Sequence, residues 1–429
     1  MSDGSVCHAI GAALTALALV LYALDDPRAF RLVLMWCFGF LLIITPEGLS
    51  DATIISHIYG PAAYDIASRC IVASHLAVLL GHDLTFREQD VAPASGPWLM
   101  SVRVATPLLL LGWLMTVLYV MPSILVAYSG GRAALEVRTT SALTAIAEGL
   151  ALTTRIVVPI VAVWIAKRAR GLTRTLMLVM AASVLLLAIV AGVRFVLLFS
   201  VVGAAIAWMV PRPPSRRTFA ALLGVALALA VTSRVLSESR TFGIQNASVS
   251  DIIQETSPAD FVVMSEKSVR SMAQAVVFTN RHGFTDGRSS AAVLVFWIPR
   301  ALWPDKPTLI GYWLPREFGR VDAGFSAAPA FTGSTFVDFG LWGSVLAWFF
   351  GGLLFGLLER FVARICANEN DARVLLVAPL YGGTFFAVRS PDTSVLILVG
   401  VIVSTLIVLV FAGYRRIASR GSSGGAGLP

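Results

Sequence analysis

Read from Met1 to Pro429, the chain is a succession of long apolar stretches separated by short polar junctions. The stretches cover Val6–Leu24, Phe30–Leu49, Ala62–Leu80, Trp98–Val120, Leu143–Ala166 and Leu172–Val190, then Phe195–Val210, Phe219–Val235, Leu341–Leu358, Val374–Val388 and Thr393–Ala412. A helix needs roughly 20 apolar residues to cross a bilayer core, so the pattern predicts about eleven transmembrane helices. Arg69, His75 and several small residues dilute the third stretch, and the boundary near Ala191 is set by length alone. One long polar stretch, Leu236 to Gly340, interrupts the series. The predicted organisation is N-terminal transmembrane helices over 1–235, a large external loop with an interfacial helix over 236–340, C-terminal transmembrane helices over 341–414, and a flexible cytoplasmic tail over 415–429.

Composition strengthens the membrane reading. The chain is 57% hydrophobic and 14% charged, with a mean hydropathy of +0.80, whereas soluble domains carry about 25% charged residues. The net charge of +8 sits in short clusters beside apolar segments, which points to topology rather than to nucleic acid. Lys167, Arg168, Arg170 and Arg174 share one junction; Arg212, Arg216 and Arg217 share another; Arg360, Arg364 and Arg373 form a third; Arg415, Arg416 and Arg420 lie at the end. The positive-inside rule makes these cytoplasmic, so the turn at Arg194, the long loop and the turn at Arg389 face outward. Counting backwards puts the N-terminus outside too. The first residues, Met-Ser-Asp-Gly-Ser, lack the cationic start of a cleaved signal, so the first stretch reads as a retained helix. Cys7, Cys37, Cys70 and Cys366 all lie in or beside apolar segments and imply no disulfide framework in the loop.

The loop carries the candidate chemistry. Its residues Ala291 to Trp303 are apolar but too short to span, which suits a helix at the water–lipid boundary or one folded into a protein-lined cavity. Ser257-Pro-Ala-Asp260 resembles an N-terminal cap, predicting a helix from there through about Phe278. The five histidines show no paired ligand spacing, and nucleotide-binding glycine loops and a nucleophile elbow are absent. Arginine on the outward side remains. Arg300 is set among Trp297, Pro299 and Trp303. Arg194 stands between two apolar segments, where it either serves an aqueous site or snorkels to headgroups. Arg389 either binds substrate or pairs with nearby Asp392. Glu148 and Arg155 share one face of the fifth stretch, as a relay or as structural glue. Trp303, Tyr312, Trp313 and Trp342 suit sugar stacking or an aromatic belt.

The run Ile298-Pro-Arg-Ala-Leu-Trp-Pro-Asp-Lys-Pro307, followed by Ala330-Phe-Thr-Gly-Ser-Thr-Phe-Val-Asp-Phe-Gly-Leu-Trp-Gly343, resembles the Wzy-type O-antigen and exopolysaccharide polymerases. So do Asp26-Pro-Arg-Ala-Phe-Arg-Leu-Val-Leu-Met-Trp36 and Gly192-Val-Arg194 opening a helix. Relatives often carry a Gly-Glu pair before an Asn-Phe-Gly element, where this chain has Gly333-Ser334 and Asp338-Phe339-Gly340. The resemblance implies an all-α polytopic fold of the GT-C kind in the bacterial inner membrane. It implies a metal-independent, cofactor-free glycosyltransferase that moves an undecaprenyl-diphosphate-linked glycan onto a newly flipped lipid-linked repeat unit. A chain-length regulator and a flippase would be its partners, beside membrane lipid. Catalytic roles would fall to Arg300, Asp338 and Asp305, and substrate binding to Arg194, Lys306, Arg316, Glu317, Arg389 and Trp303. Asp338, Asp305 and Glu317 are all candidates to take the acceptor proton. An O-antigen ligase, or a flippase or other secondary transporter, is the alternative expectation. Transporters usually show internal repeats, which this sequence lacks.

Overall fold

The computed structural model describes residues 3–25, 31–86, 105–118, 142–190, 194–210, 267–295, 298, 302–319, 328–367 and 371–423. All regular structure among them is helical. Five helices are long and apolar enough to cross a membrane: Asp3–Tyr22, Leu32–Ser50, Pro61–Thr85, Gly171–Ala188 and Gly333–Cys366. Four further apolar helices are shorter, at Ala105–Leu118, Phe199–Met209, Val374–Ala387 and Ile397–Ile407. The stretch expected over Phe219–Val235 lies outside the described residues. The helices belong to two units, one built from Met1–Val91, Thr256–Ala363 and Thr384–Leu396 and the other from Ala92–Glu255, Arg364–Gly383 and Ile397–Pro429. Neither unit is continuous in sequence.

In the first unit, α1 (Asp3–Asp25) is followed by α2 (Leu32–Gly39), a π-helical turn (Phe40–Ile44) and α3 (Thr45–Ser50). Pro46 has no N–H to give and its ring clashes with the carbonyl four residues back. The helix answers by widening, with the Thr45 N–H and hydroxyl both donating to the Phe40 carbonyl. Next come α4 (Ala52–Tyr59) and α5 (Pro61–Thr85), divided by Gly60 at φ 90°. The hydrogen bonds fix helix direction. The Gly4 N–H donates to Asp65 at 2.7 Å and the Tyr22 hydroxyl to Asp83 at 2.6 Å, so α1 and α5 run in parallel. Midway, the Trp36 indole donates to His75 Nδ1 at 3.0 Å, leaving Nε2–H for the Thr15 hydroxyl at 2.9 Å, and that hydroxyl donates to the Gly11 carbonyl. Every polar atom in this buried chain is satisfied, and it joins α1, α2 and α5 within the interior of the unit.

The second unit begins with α6 (Ala105–Leu118), α7 (Ala142–Arg168), α8 (Gly171–Val190) and α9 (Arg194–Met209). The last three pack on one another. Hydroxyls tie these helices: Thr116 donates to Thr154 at 2.8 Å, Trp113 to Ser183 at 2.8 Å, and Ser200 to the Arg155 carbonyl at 3.0 Å. At the cationic end Arg168 lies 3.7 Å from the Trp164 ring centre, and Lys167 donates to the Val210 carbonyl.

Loop helices α10 (Ser268–His282), α11 (Arg288–Val295) and α12 (Ile310–Glu317) lead to α13 (Gly333–Cys366), α14 (Val374–Ala387) and α15 (Pro391–Ser423). Three corrections to the sequence reading appear here. α10 starts at Ser268, after Lys267, and the capping sequence expected at Ser257 lies outside the described residues. α11 ends at Val295, so the short apolar helix does not reach Trp303. α13 begins within the expected loop and bends at Gly340 (φ 70°), while α15 passes residue 415 and continues to Ser423.

α13 crosses α5 closely because the contact is glycine. A Cβ on Gly352 would collide with the Val78 carbonyl, one on Gly81 with the Phe349 carbonyl, and one on Gly356 with Thr85. Thr85 donates to the Leu353 carbonyl at 3.0 Å across this seam. On its other face α13 exposes Trp342, Leu346, Phe350, Leu354, Leu357 and Phe361 in steps of three or four. Such a stripe is stable only in an apolar solvent, and the chain is a membrane-embedded helical protein.

Candidate functional site

The start of α13, the turn into α15 and helix α12 converge at the loop end of the first unit. Phe331 fixes this region. Its N–H donates to the Val388 carbonyl at 3.0 Å, and its ring sits 5.0 Å from Trp36 and 4.9 Å from Trp348. Behind that anchor Ser334 and Asp338 lie one turn apart on α13. Asp338, 1% exposed, accepts the Ser289 N–H at 2.9 Å, the Ser290 N–H at 2.6 Å and the Thr285 hydroxyl at 2.5 Å. The first N–H groups of any helix lack partners within it. Asp338 supplies them for α11 from another helix, and its charge complements the α11 dipole. With both oxygens engaged by donors, the carboxylate offers an acceptor hydroxyl little room, and its evident task is to hold the loop on α13.

Beside it lies a recess of about 50 Å³ lined by Tyr312, Ser334, Arg389, Ser390 and Asp392, together with Leu309–Gly311 and Ala328–Ala330. That volume takes a few waters or one small polar group, so any large ligand would remain mostly outside it. Pro391 opens α15 and Asp392 falls in its first turn, ahead of the apolar part Ile397–Ile407. Asp392 Oδ2 accepts the Ser334 hydroxyl at 3.1 Å. Burial pushes its carboxyl up to about 6, and the nearby Asp338 charge adds to the rise while Ser334 opposes it. The Arg389 guanidinium carbon stands 5.2 Å from the centre of the Phe386 ring. A cation, a carboxylate of raised pKa, a hydroxyl and the half-exposed ring of Tyr312 thus share one wall.

Of the residues singled out in the sequence, Arg389 lines the recess, and Asp338 lies behind it as the α11 cap. Asp305 and Trp303 are exposed on the turn before α12, and Lys306 donates to the Ile298 carbonyl at 2.5 Å. Arg316 is exposed at the end of α12, and Glu317 pairs with His282 at 3.1 Å on the surface. The turn residues, Arg316 and Glu317 are not among the recess lining. Arg300 lies outside the described residues. Arg194 opens α9 in the second unit. Ser334 and Asp392 were missed as site residues. The available signal was Arg389-Ser-Pro-Asp392, a polar junction between two apolar stretches on the loop side, with proline where a helix starts.

A second polar cluster occupies the opposite end of the same unit. His82 Nε2 lies 2.9 Å from Glu359 and Nδ1 3.0 Å from Asp83, while Glu359 also accepts the Val33 N–H at 3.0 Å. Arg31 sits over the Phe86 ring at 5.0 Å. These contacts join the start of α2, the end of α5 and the later part of α13. Among the described residues no group of three or more His, Cys, Asp or Glu side chains is arranged to hold a metal ion. No protein-family profile matches the chain, and no curated protein or solved structure is similar to it.

Proposed function

We propose that this chain is a glycosyltransferase of the bacterial inner membrane that lengthens a polysaccharide carried on undecaprenyl diphosphate. The single supporting observation is the recess at the loop end, where Arg389 shares a wall with Asp392, Ser334 and Tyr312. A guanidinium presents a planar fork of donors suited to two diphosphate oxygens, and it can stabilise the charge that develops on the leaving group. The half-exposed Tyr312 ring offers a face to a sugar. The small recess fits a reacting hydroxyl or phosphoryl oxygen, while the glycan and lipid stay outside, as a polymerase with a growing substrate requires. The full complement of about eleven spans and the GT-C architecture belong to this proposal, as do Arg300, Arg194 and Lys306 as further anion ligands on sequence grounds.

The test is reconstitution. Purified protein supplied with lipid-diphosphate-linked repeat units, in EDTA and without nucleotide, should yield a ladder of lengthened glycans. Arg389→Lys keeps the charge but loses the fork, and should slow the reaction about 10- to 150-fold, the worth of roughly 1.5–3 kcal/mol for a charge-assisted hydrogen bond. Lipid-linked units that cross the membrane without new glycosidic bonds would instead identify a flippase. Transfer only to lipid A core would identify a ligase.

A further inference from the structure

The glycosyl-transfer reading leaves open which carboxylate takes the acceptor proton, and geometry separates the candidates. Asp338 holds three donors and is buried as a helix cap. Glu317 is engaged by His282 on the surface, and Asp305 is exposed on a turn outside the recess lining. Asp392 alone of these carboxylates lines the recess, in company with the cation of Arg389. One of its oxygens is oriented by the Ser334 hydroxyl.

We infer that Asp392 is the general base, an inference that rests on the glycosyl-transfer reading. The acceptor hydroxyl oxygen forms a bond to the anomeric carbon as the bond from that carbon to the diphosphate oxygen breaks. The electron pair leaves with the diphosphate, beside Arg389. The hydroxyl proton passes to the Asp392 carboxylate and from there to water. Ser334 is a positioning residue that holds the carboxylate toward the recess. Among the described residues, the charged and titratable groups that line the recess with Asp392 are Arg389 and Tyr312, and the Asp338 charge on α13 acts on it from nearby. Burial and the Asp338 charge bring the Asp392 carboxyl up to about 6, closer to neutrality and so a stronger base than an exposed aspartate.

The sign of the pH dependence follows. Below that value the carboxyl is protonated and cannot accept; above it the base is available. The rate of polymer formation by the reconstituted wild-type protein should climb as pH rises through about 6 and then level. Asp392→Asn should lower the plateau about 10²- to 10⁴-fold with KM little changed. Ser334→Ala removes a hydrogen bond to the ionised form, so its acidic limb should move to higher pH. If Asp392→Asn does not fold, the Ser334→Ala limb decides: an unmoved limb overturns the inference. An Asp392→Asn enzyme with wild-type rate overturns the inference and leaves the polymerase reading intact. Wild-type protein that forms no polymer at any pH overturns both.

Discussion

Removing the Asp338 carboxylate would take the acceptor from the buried Ser289 N–H and the half-buried Ser290 N–H, and the shortest hydrogen bond from the Thr285 hydroxyl. Each buried donor left unpaired costs about 1–3 kcal/mol, and loss of a helix cap alone about 0.5–2 kcal/mol. Asp338→Ala should therefore lower the thermal midpoint of the detergent-solubilised protein clearly, with Asp338→Asn milder because the amide oxygen still accepts. Activity per folded molecule should fall much less than for Asp392→Asn. Unchanged thermal stability with abolished activity would reverse the roles assigned to these two aspartates. From sequence they could not be told apart, since both follow short polar runs at the edge of an apolar stretch. What distinguishes them is that Asp338 meets the start of α11, about fifty residues earlier in the chain.

Among the elements, those defined by local pattern were legible. The expected Phe30–Leu49, Ala62–Leu80 and Val374–Val388 closely match α2–α3, α5 and α14, because a bilayer imposes length and apolarity on each helix separately. The elements misread were those whose ends are set from a distance. α10 starts at Ser268 because Glu47, more than two hundred residues away and turned by the π-helical widening before Pro46, accepts the Val269 and Arg270 N–H groups at 3.0 Å each. No local cap announces that start. The α5–α13 seam is similar, since the pairing of Gly81 with Gly352 and of Thr85 with Gly356 cannot be read from either helix alone. Gly352→Val should overpack this seam and destabilise the protein by about 1–3 kcal/mol. Gly112→Ala, whose new Cβ would meet Val158 at an ordinary 3.7 Å, should be neutral or stabilising by up to about 1 kcal/mol through helix propensity. Equal thermal midpoints for the two variants would contradict the close crossing.

For the molecule as a whole, the proposed chemistry needs the recess on the side where lipid-linked units would arrive, and the first unit restricts how that can be met. α1, α5 and α13 start at the loop end, where Gly4 bonds Asp65 and Ser334 lines the recess, and they finish at the other, where Tyr22, Asp83, His82 and Glu359 meet. α2 runs back between them, from Val33 beside Glu359 to Glu47 beside α10. The N-terminus and the loop therefore share a side, and Arg360 and Arg364 follow Glu359 on the other. Cationic residues favour the cytoplasm, which predicts that the loop lies outside. Reporter fusions at the N-terminus and near Gly287 should both be external, while one after Arg364 should be cytoplasmic. An N-terminus and a Gly287 on opposite sides would break the helix directions of the first unit. A Gly287 and an Arg364 on the same side would mean that α13 does not span. If every reporter gave the reversed orientation, the fold would survive but the recess would face the cytoplasm, and polymerisation on outward-facing lipid-linked units would have to be abandoned.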